Sequence, residues 1–129
     1  MTNESRSGGR NPEHKKSFFP LESDPDLFTQ LIHELGVSPP LAFYDVLSID
    51  DPELLAMVPR PVHALVLVFI TSPAFYRDKE VGQALQECYS GSGENEPVIW
   101  YKQTIYNACG LYGILHAISN GKAKEFISE

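Results

Sequence analysis

The most informative stretch of this sequence is QTIYNACGLYGILHAIS, residues 103–119. Its second half places apolar residues at the three- and four-residue spacing of a helix with one buried face. We therefore predict a helix from about Asn107 to Asn120, which Gly121 would terminate because glycine tolerates the backbone conformation that ends a helix. The buried face of this helix would consist of Leu111, Ile114, Leu115 and Ile118. The cysteine of the stretch, Cys109, falls in the first turn.

Cys109 has the position that a catalytic thiol needs. Unpaired N–H groups and the positive end of the helix dipole stabilise a thiolate there, and thiolate is the reactive form. Gly110 would keep the near side clear for a substrate backbone. Gln103 could fold its side-chain amide beside Cys109 and, with the Cys109 backbone N–H, form a two-donor oxyanion hole. The alternative is structural, since such a cysteine is commonly a small buried hydrophobe and a lone glutamine commonly a loop residue.

Two helices and a strand are predicted before residue 70. Asp24 as cap, Pro25 in the first turn and Gly36 as stop delimit the first helix. Residues 51–53 open a second, short helix that the prolines at 59 and 61 end. Residues 62–69 are almost continuously apolar and β-branched, which is typical of a strand buried on both faces of a layered domain.

The remaining segments complete the expected organisation. Residues 73–89 predict an amphipathic helix whose apolar side includes Val81, Leu85 and Cys88, so Cys88 is expected in the core rather than as a rival nucleophile. Residues 90–97 predict a flexible loop and residues 98–101 a short strand. Residues 1–17 are polar and predict a disordered lead-in, which leaves residues 18–129 as part of a single domain.

Composition excludes several classes of function. The net charge of -7 argues against a nucleic-acid partner, because phosphate binding needs clustered Lys and Arg, and it permits a basic partner. No signal peptide or membrane-spanning segment is predicted, and the two distant cysteines favour a reducing compartment, cytoplasmic or also nuclear. No metal-ligand cluster or phosphate-cradling glycine loop is recognisable, so no cofactor is expected.

The stretch around Cys109 resembles the active-site signature of the ubiquitin carboxyl-terminal hydrolase family. The match comprises Gln103, then Asn107 to Gly110, then Ile114 to Ser119. The resemblance continues through residues 20–22, 43–46 and 51–61, and so covers nearly everything after the lead-in.

The resemblance implies an α/β (α+β) domain with the papain-like cysteine peptidase fold, in which Cys109 is the nucleophile and Gln103 the transition-state stabiliser. It implies a monomeric deubiquitinating hydrolase that cleaves ester, amide or peptide bonds at the C-terminal glycine of ubiquitin. It also suggests that Asp45 meets the basic tail of ubiquitin and that Leu21 and Glu22 contribute to substrate binding. The alternative for Asp45 is a solvated or turn-capping carboxylate.

The family works by a Cys, His, Asp triad, whose histidine and aspartate are expected on later strands. His116 lies seven residues beyond Cys109, about 10 Å along a helix, whereas a general base must approach within about 3 Å. His116 is therefore predicted to be structural. His33 is expected to face solvent, His63 to pack with a hydrogen bond, and His14 falls in the lead-in.

These observations predict a domain truncated after the nucleophile helix, because Phe126 and Ile127 would have no later element to bury them. The chain alone is then expected to be weakly stable and nearly inactive. The alternative function is a non-catalytic fragment that binds ubiquitin without cutting it.

Overall fold

The computed structural model describes residues 16–84, 86 and 89–128, which divide into two units. The described part of the first unit contains residues 16–66 and 100–128, and the second contains residues 67–99. The lead-in prediction lies outside the described residues except at Lys16–Ser17, and the predictions for Leu85 and Cys88 lie outside them altogether. The elements are β1 (Lys16–Ser17), α1 (Pro25–Glu34), α2 (Pro52–Ala56), α3 (Pro73–Ala84), β2 (Ile105–Tyr106), α4 (Cys109–Ser119) and a 3₁₀ helix (Gly121–Phe126).

Strands β1 and β2 pair in parallel, with Lys16 opposite Ile105 and Ser17 opposite Tyr106. The backbone N–H of Phe18 extends this ladder by donating to the carbonyl of Tyr106 at 2.9 Å. Lys16 and Ser17 therefore form regular structure, although the sequence placed them in the lead-in. This small sheet holds the segment before α1 against the loop that leads to Cys109.

Helix α1 begins and ends where its sequence signals predicted. The Asp24 side chain accepts hydrogen bonds from the N–H groups of Asp26 and Leu27, and Pro25 fits the first turn because proline needs no hydrogen-bonded N–H there. Gly36 adopts a φ of +96° just after the helix. Helix α2 is also confirmed, with Asp51 as its cap.

The core of the first unit lies where α1 packs against α4. Its buried residues, which we call the α1–α4 core, are Phe28, Ile32, Val37, Ile114 and Ile118. Partly buried apolar residues surround it, namely Leu21, Leu31, Leu41, Phe43, Leu115 and Phe126. The predicted helix over residues 107–120 is thus confirmed, and Ile114 and Ile118 of its apolar stripe are buried.

The expectation that Phe126 would have nothing to cover it is wrong. Phe126 packs against the α1–α4 core, and its carbonyl accepts the N–H of Ser38 at 2.7 Å. Ile127 forms an antiparallel bridge with Val37, although its side chain is 42% exposed. The segment after the 3₁₀ helix therefore packs back onto the turn that follows α1.

The predicted buried strand over residues 62–69 is also wrong. Within the described part of the chain, no residue of this segment belongs to a strand, and Leu65 is 82% exposed. A β-strand needs a neighbouring strand for its N–H and C=O groups, and among the described residues of the first unit the sheet consists of β1 and β2 alone. Apolar composition alone therefore did not bury this segment.

Residues 98–101 do not form the predicted strand either. The backbone N–H of Tyr101 donates to a side chain instead, the ring of His116, at 2.8 Å. This hydrogen bond replaces the ladder contact that a strand would have made.

The second unit contains α3, which confirms a helix in this region. Ser72 accepts the N–H of Phe75 with its hydroxyl and so caps the first turn. The Phe75 ring packs edge-on against Phe69 and Tyr76, at centroid distances of 5.3 and 5.7 Å. Val81, expected on a buried stripe, is exposed.

Candidate active site

Cys109 is the first residue of α4, and its side chain is exposed. The preceding residue, Ala108, occupies the cap position and provides no side-chain acceptor for the first N–H groups of the helix. The chain turns into the helix at Asn107, whose φ of +60° is a conformation that asparagine tolerates better than most residues. The thiol is therefore open to solvent beside a helix N-terminus that no capping side chain covers.

Gly110 has a different role from the one that the sequence suggested. A Cβ atom at this position would lie 3.2 Å from Cβ of Leu21 and 3.7 Å from its Cδ2. The missing side chain therefore makes room for Leu21, not for a substrate backbone on that side. Leu21 is half-buried and also packs against the α1–α4 core, so it joins the segment before α1 to the start of α4.

Gln103 is half-buried in the loop that precedes α4. Its Nε2 donates to the carbonyl of Ile105, the first residue of β2, at 2.9 Å, and this contact fixes part of the side chain. That Gln103 donates to a substrate beside Cys109 stays a prediction from the sequence.

The segment from Trp100 to Thr104 runs along one polar face of α4. That face, which we call the polar seam, consists of Tyr112, His116 and Ser119. His116 and Ser119 follow Tyr112 by four and seven residues, so all three lie on one side of the helix. Tyr101 contacts the seam at His116 and Ser119, the latter through the two hydroxyl groups at 3.1 Å. The Tyr112 hydroxyl accepts the N–H of Thr104 at 3.3 Å and lies 3.4 Å from its Oγ1.

The contacts of the Tyr112 hydroxyl change its acidity. Its pKa lies below the usual tyrosine value because the side chain of Thr104 hydrogen-bonds to it and the backbone N–H of Thr104 donates to it. The polar seam was not predicted, although its three residues lie at helical spacing in the sequence.

Comparison with known proteins gives the family. Residues 18–129 match the family model described as ubiquitin carboxyl-terminal hydrolase, family 1. This chain belongs to the ubiquitin carboxyl-terminal hydrolase family. Family membership implies the papain-like fold of these hydrolases, and the mixture of helices and short strands agrees with it.

Three curated relatives define the extent of the match. Ubiquitin carboxyl-terminal hydrolase YUH1 of Saccharomyces cerevisiae is 41% identical over 108 residues, covering 84% of this chain and 42% of that protein. A ubiquitin carboxyl-terminal hydrolase of Aplysia californica is 42% identical, covering 84% and 47%. Ubiquitin carboxyl-terminal hydrolase isozyme L1 of Homo sapiens is 34% identical, covering 81% of this chain and 45% of that protein. The chain thus spans less than half the length of these relatives.

Each of the three described histidines of this hydrolase family member contacts a residue other than Cys109. His116 accepts the Tyr101 N–H with Nε2, and its ring stacks on Tyr101 and Trp100 at 5.5 and 6.5 Å, which confirms its structural role. His33 was expected to face solvent, but it is half-buried and its Nε2 donates to the carbonyl of Leu41 at 2.8 Å. His63 packs against the ring of Phe126 at 5.4 Å.

The predicted substrate-binding residues occupy different environments. Asp45 and Glu22 are exposed, Asp45 in an irregular segment after α1 and Glu22 just before α1. Leu21 contacts the site through Gly110, as described above. In the described ranges, no group of three His, Cys, Asp or Glu side chains is arranged to hold a metal ion. The helices of those ranges are also too short or too polar to cross a membrane.

Proposed function

We propose that this chain supplies the nucleophile side of a deubiquitinating thiol hydrolase, with Cys109 as nucleophile and Gln103 as oxyanion donor. The observation that carries the proposal is the position of Cys109, exposed at the first residue of α4 where no capping side chain covers the helix end. The names of the family and of its relatives refer to hydrolysis at the carboxyl terminus of ubiquitin, and the proposed substrate is an ester, amide or peptide at the C-terminal glycine of ubiquitin.

The proposed reaction is acyl transfer through sulfur. Sγ of Cys109 attacks the carbonyl carbon of the terminal glycine, and the carbonyl oxygen becomes an oxyanion. The Cys109 backbone N–H and the Gln103 side-chain amide would donate to that oxygen, where removal of one donor typically costs about 10²–10³ in rate. The histidine that acts as general base takes the proton of the thiol and returns it to the leaving amine or alcohol, and water then hydrolyses the thioester to the ubiquitin carboxylate and the free thiol.

The substrate would be held by groups before and after α1. Asp45 and Glu22 are exposed carboxylates, and in this proposal they pair with the basic tail of ubiquitin. Leu21 would provide an apolar contact next to the nucleophile, because it packs over Gly110. The chain's net charge of -7 favours encounter with such a basic segment.

The general base of the reaction is a histidine other than the three that the structure describes. His33, His63 and His116 are engaged with Leu41, Phe126 and Tyr101. Because a general base must lie within about 3 Å of the proton it removes, and none of these three histidines contacts the Cys109 thiol, we expect none of them to serve as the base. Capture of the thiol by an electrophile avoids this requirement, since it ends at the first covalent step.

The test is therefore ubiquitin with an electrophile in place of its C-terminal carboxylate, incubated with the 129-residue chain. We expect a covalent adduct of one ubiquitin per chain, visible by intact mass, that Cys109→Ala abolishes and Gln103→Ala slows. A Cys109→Ala variant that still forms the adduct would assign the chemistry to another residue and refute the proposal.

A second candidate function is a module that binds ubiquitin without cutting it. The contacts of the three described histidines favour this alternative, because they are made with Leu41, Phe126 and Tyr101 and none is made with the Cys109 thiol. Reversible binding of ubiquitin by the wild-type chain, without any covalent capture at Cys109, would select the binding module over the hydrolase.

A further inference from the structure

The loop that carries Gln103 is fastened to the nucleophile helix on both sides of that residue. Two positions before it, Tyr101 contacts His116 and Ser119, and directly after it, Thr104 contacts Tyr112. The order of these contacts along α4 shows that the segment runs from the last turn of the helix toward its first turn. Tyr112 is therefore the seam contact that lies closest in the helix to Cys109.

We propose that Tyr112 is a positioning residue, whose hydroxyl holds Thr104 on α4 and thereby sets the place of the Gln103 side-chain amide relative to Cys109. This inference rests on the proposed function, because it assigns Tyr112 a part in the same acyl transfer. Tyr112 itself touches no reacting atom in this proposal and acts through Thr104.

The geometry suits this role because one hydroxyl contacts Thr104 at two points. Tyr112 Oη accepts the backbone N–H at 3.3 Å and lies 3.4 Å from the side-chain Oγ1. Contact with both the N–H and the Oγ1 of Thr104 fixes the position and the orientation of Thr104 against α4. Gln103 precedes Thr104 directly, and its Nε2 donates to Ile105 just beyond, so the amide is tied to the segment that Tyr112 anchors.

The position of an oxyanion donor matters more for acyl transfer than for simple alkylation. A donor must lie about 2.7–3.1 Å from the place where the oxyanion forms, so a displacement of about 1 Å removes much of its effect. Alkylation of a thiolate by iodoacetamide displaces iodide and forms no oxyanion. A residue that positions Gln103 should therefore affect the first reaction and not the second.

The test uses ubiquitin with a C-terminal alkyl thioester, which needs no general base to expel its leaving group. Sγ of Cys109 bonds to the carbonyl carbon, the bond to the alkylthiolate breaks, and that thiolate takes a proton from water. We expect Tyr112→Phe to lower the limiting rate of this acylation about tenfold while the half-saturating ubiquitin concentration stays unchanged. Alkylation by iodoacetamide, mapped to the Cys109 peptide, should change less than about twofold.

The matched control is Tyr76→Phe in the second unit. The Tyr76 hydroxyl also contacts a threonine, Thr71 Oγ1 at 3.2 Å, so the substitution removes the same kind of contact in a region that takes no part in the proposed site. It should leave both reactions at the wild-type rate. Acylation of Tyr112→Phe at the wild-type rate would overturn the positioning role.

Two further readouts distinguish failure of the proposed function from failure of the positioning role of Tyr112. If the wild-type chain is not acylated, or if Gln103→Ala is acylated as fast as wild type, the hydrolase assignment itself fails. Exchange of the Thr104 backbone amide then still tests Tyr112, because that N–H loses its acceptor in Tyr112→Phe and should exchange on the order of threefold faster. Unchanged exchange would refute the anchoring contact whatever the chemistry.

Discussion

The α1–α4 core and the apolar run over residues 62–70 are similar in composition and opposite in environment. Ile32 and Ile114 are fully buried in the core, whereas Ile70 is 98% exposed in the run. Helices α1 and α4, which form the core, satisfy their backbone N–H and C=O groups with hydrogen bonds inside each helix. They then need only to pack their apolar faces together. An extended segment needs a paired strand before its side chains can be buried. Burial in this chain thus follows from the availability of a packing partner and not from hydrophobicity alone.

The largest effect should come from truncating a core side chain. Ile114→Ala removes buried methyl groups from the contact between α1 and α4 and should lower the free energy of unfolding of the first unit by about 2–5 kcal/mol. Leu65→Ala in the apolar run should change it by less than about 0.5 kcal/mol, because that side chain is already in water. Denaturant unfolding of both variants measures the difference, and equal losses would contradict the comparison.

A smaller loss is expected from filling the space beside Cys109. Gly110→Ala places a methyl group 3.2 Å from Cβ of Leu21, which moves only with its backbone, and should cost about 1 kcal/mol. Gly113→Ala on the same helix is the control. It meets no atom within 4 Å, so it should stabilise the chain by about 0.5–1 kcal/mol through helix propensity. If both substitutions stabilise the chain, Leu21 is not packed over Gly110 as described.

Loss of the α1 cap should have an effect of similar size. Asp24→Ala removes the acceptor for two N–H groups, at 2.8 and 3.2 Å, and should lower the free energy of unfolding by about 1 kcal/mol. Asp24→Asn keeps an acceptor oxygen and should recover most of that loss. An Asn variant as unstable as the Ala variant would show that the charge of Asp24, and not the hydrogen bonds, stabilises the helix.

The smallest effect is a change in the acidity of Tyr112. Hydrogen bonds from Thr104 lower its pKa, so the folded chain favours the phenolate. Any stability gained in this way is present above the ordinary tyrosine pKa of about 10 and is lost as the pH falls through the lowered folded value. Thr104→Val removes the side-chain contact and should raise the pKa of Tyr112, as measured by ultraviolet titration against Tyr112→Phe. An unchanged titration would contradict the contact.

The sequence predicted the elements whose signals are local. The cap at Asp24, the stop at Gly36 and the apolar stripe of α4 each lie within a few residues of the structure they determine. The prediction for residues 62–69 failed because strand formation depends on a partner elsewhere in the chain, which the segment itself cannot specify.

The site was predicted unevenly for the same reason. The place of Cys109 at the start of α4 follows from helical spacing, and the structure confirms it. The contact of Leu21 with Gly110 and the anchoring of Thr104 by Tyr112 join residues from different segments, so neither was anticipated. His33 was misjudged because its partner, the carbonyl of Leu41, lies beyond the end of α1.

The thiol of Cys109 is exposed at the start of α4, and the proposed function requires that the C-terminus of ubiquitin reach it. The most direct measurement is peptide-mapped alkylation of Cys109 and Cys88 by iodoacetamide, with and without unmodified ubiquitin. We expect ready alkylation of Cys109 that saturating ubiquitin slows at least about tenfold, while the rate at Cys88 stays unchanged. A Cys109 thiol that resists alkylation would refute its exposed position, and one that ubiquitin does not protect would refute the proposed function.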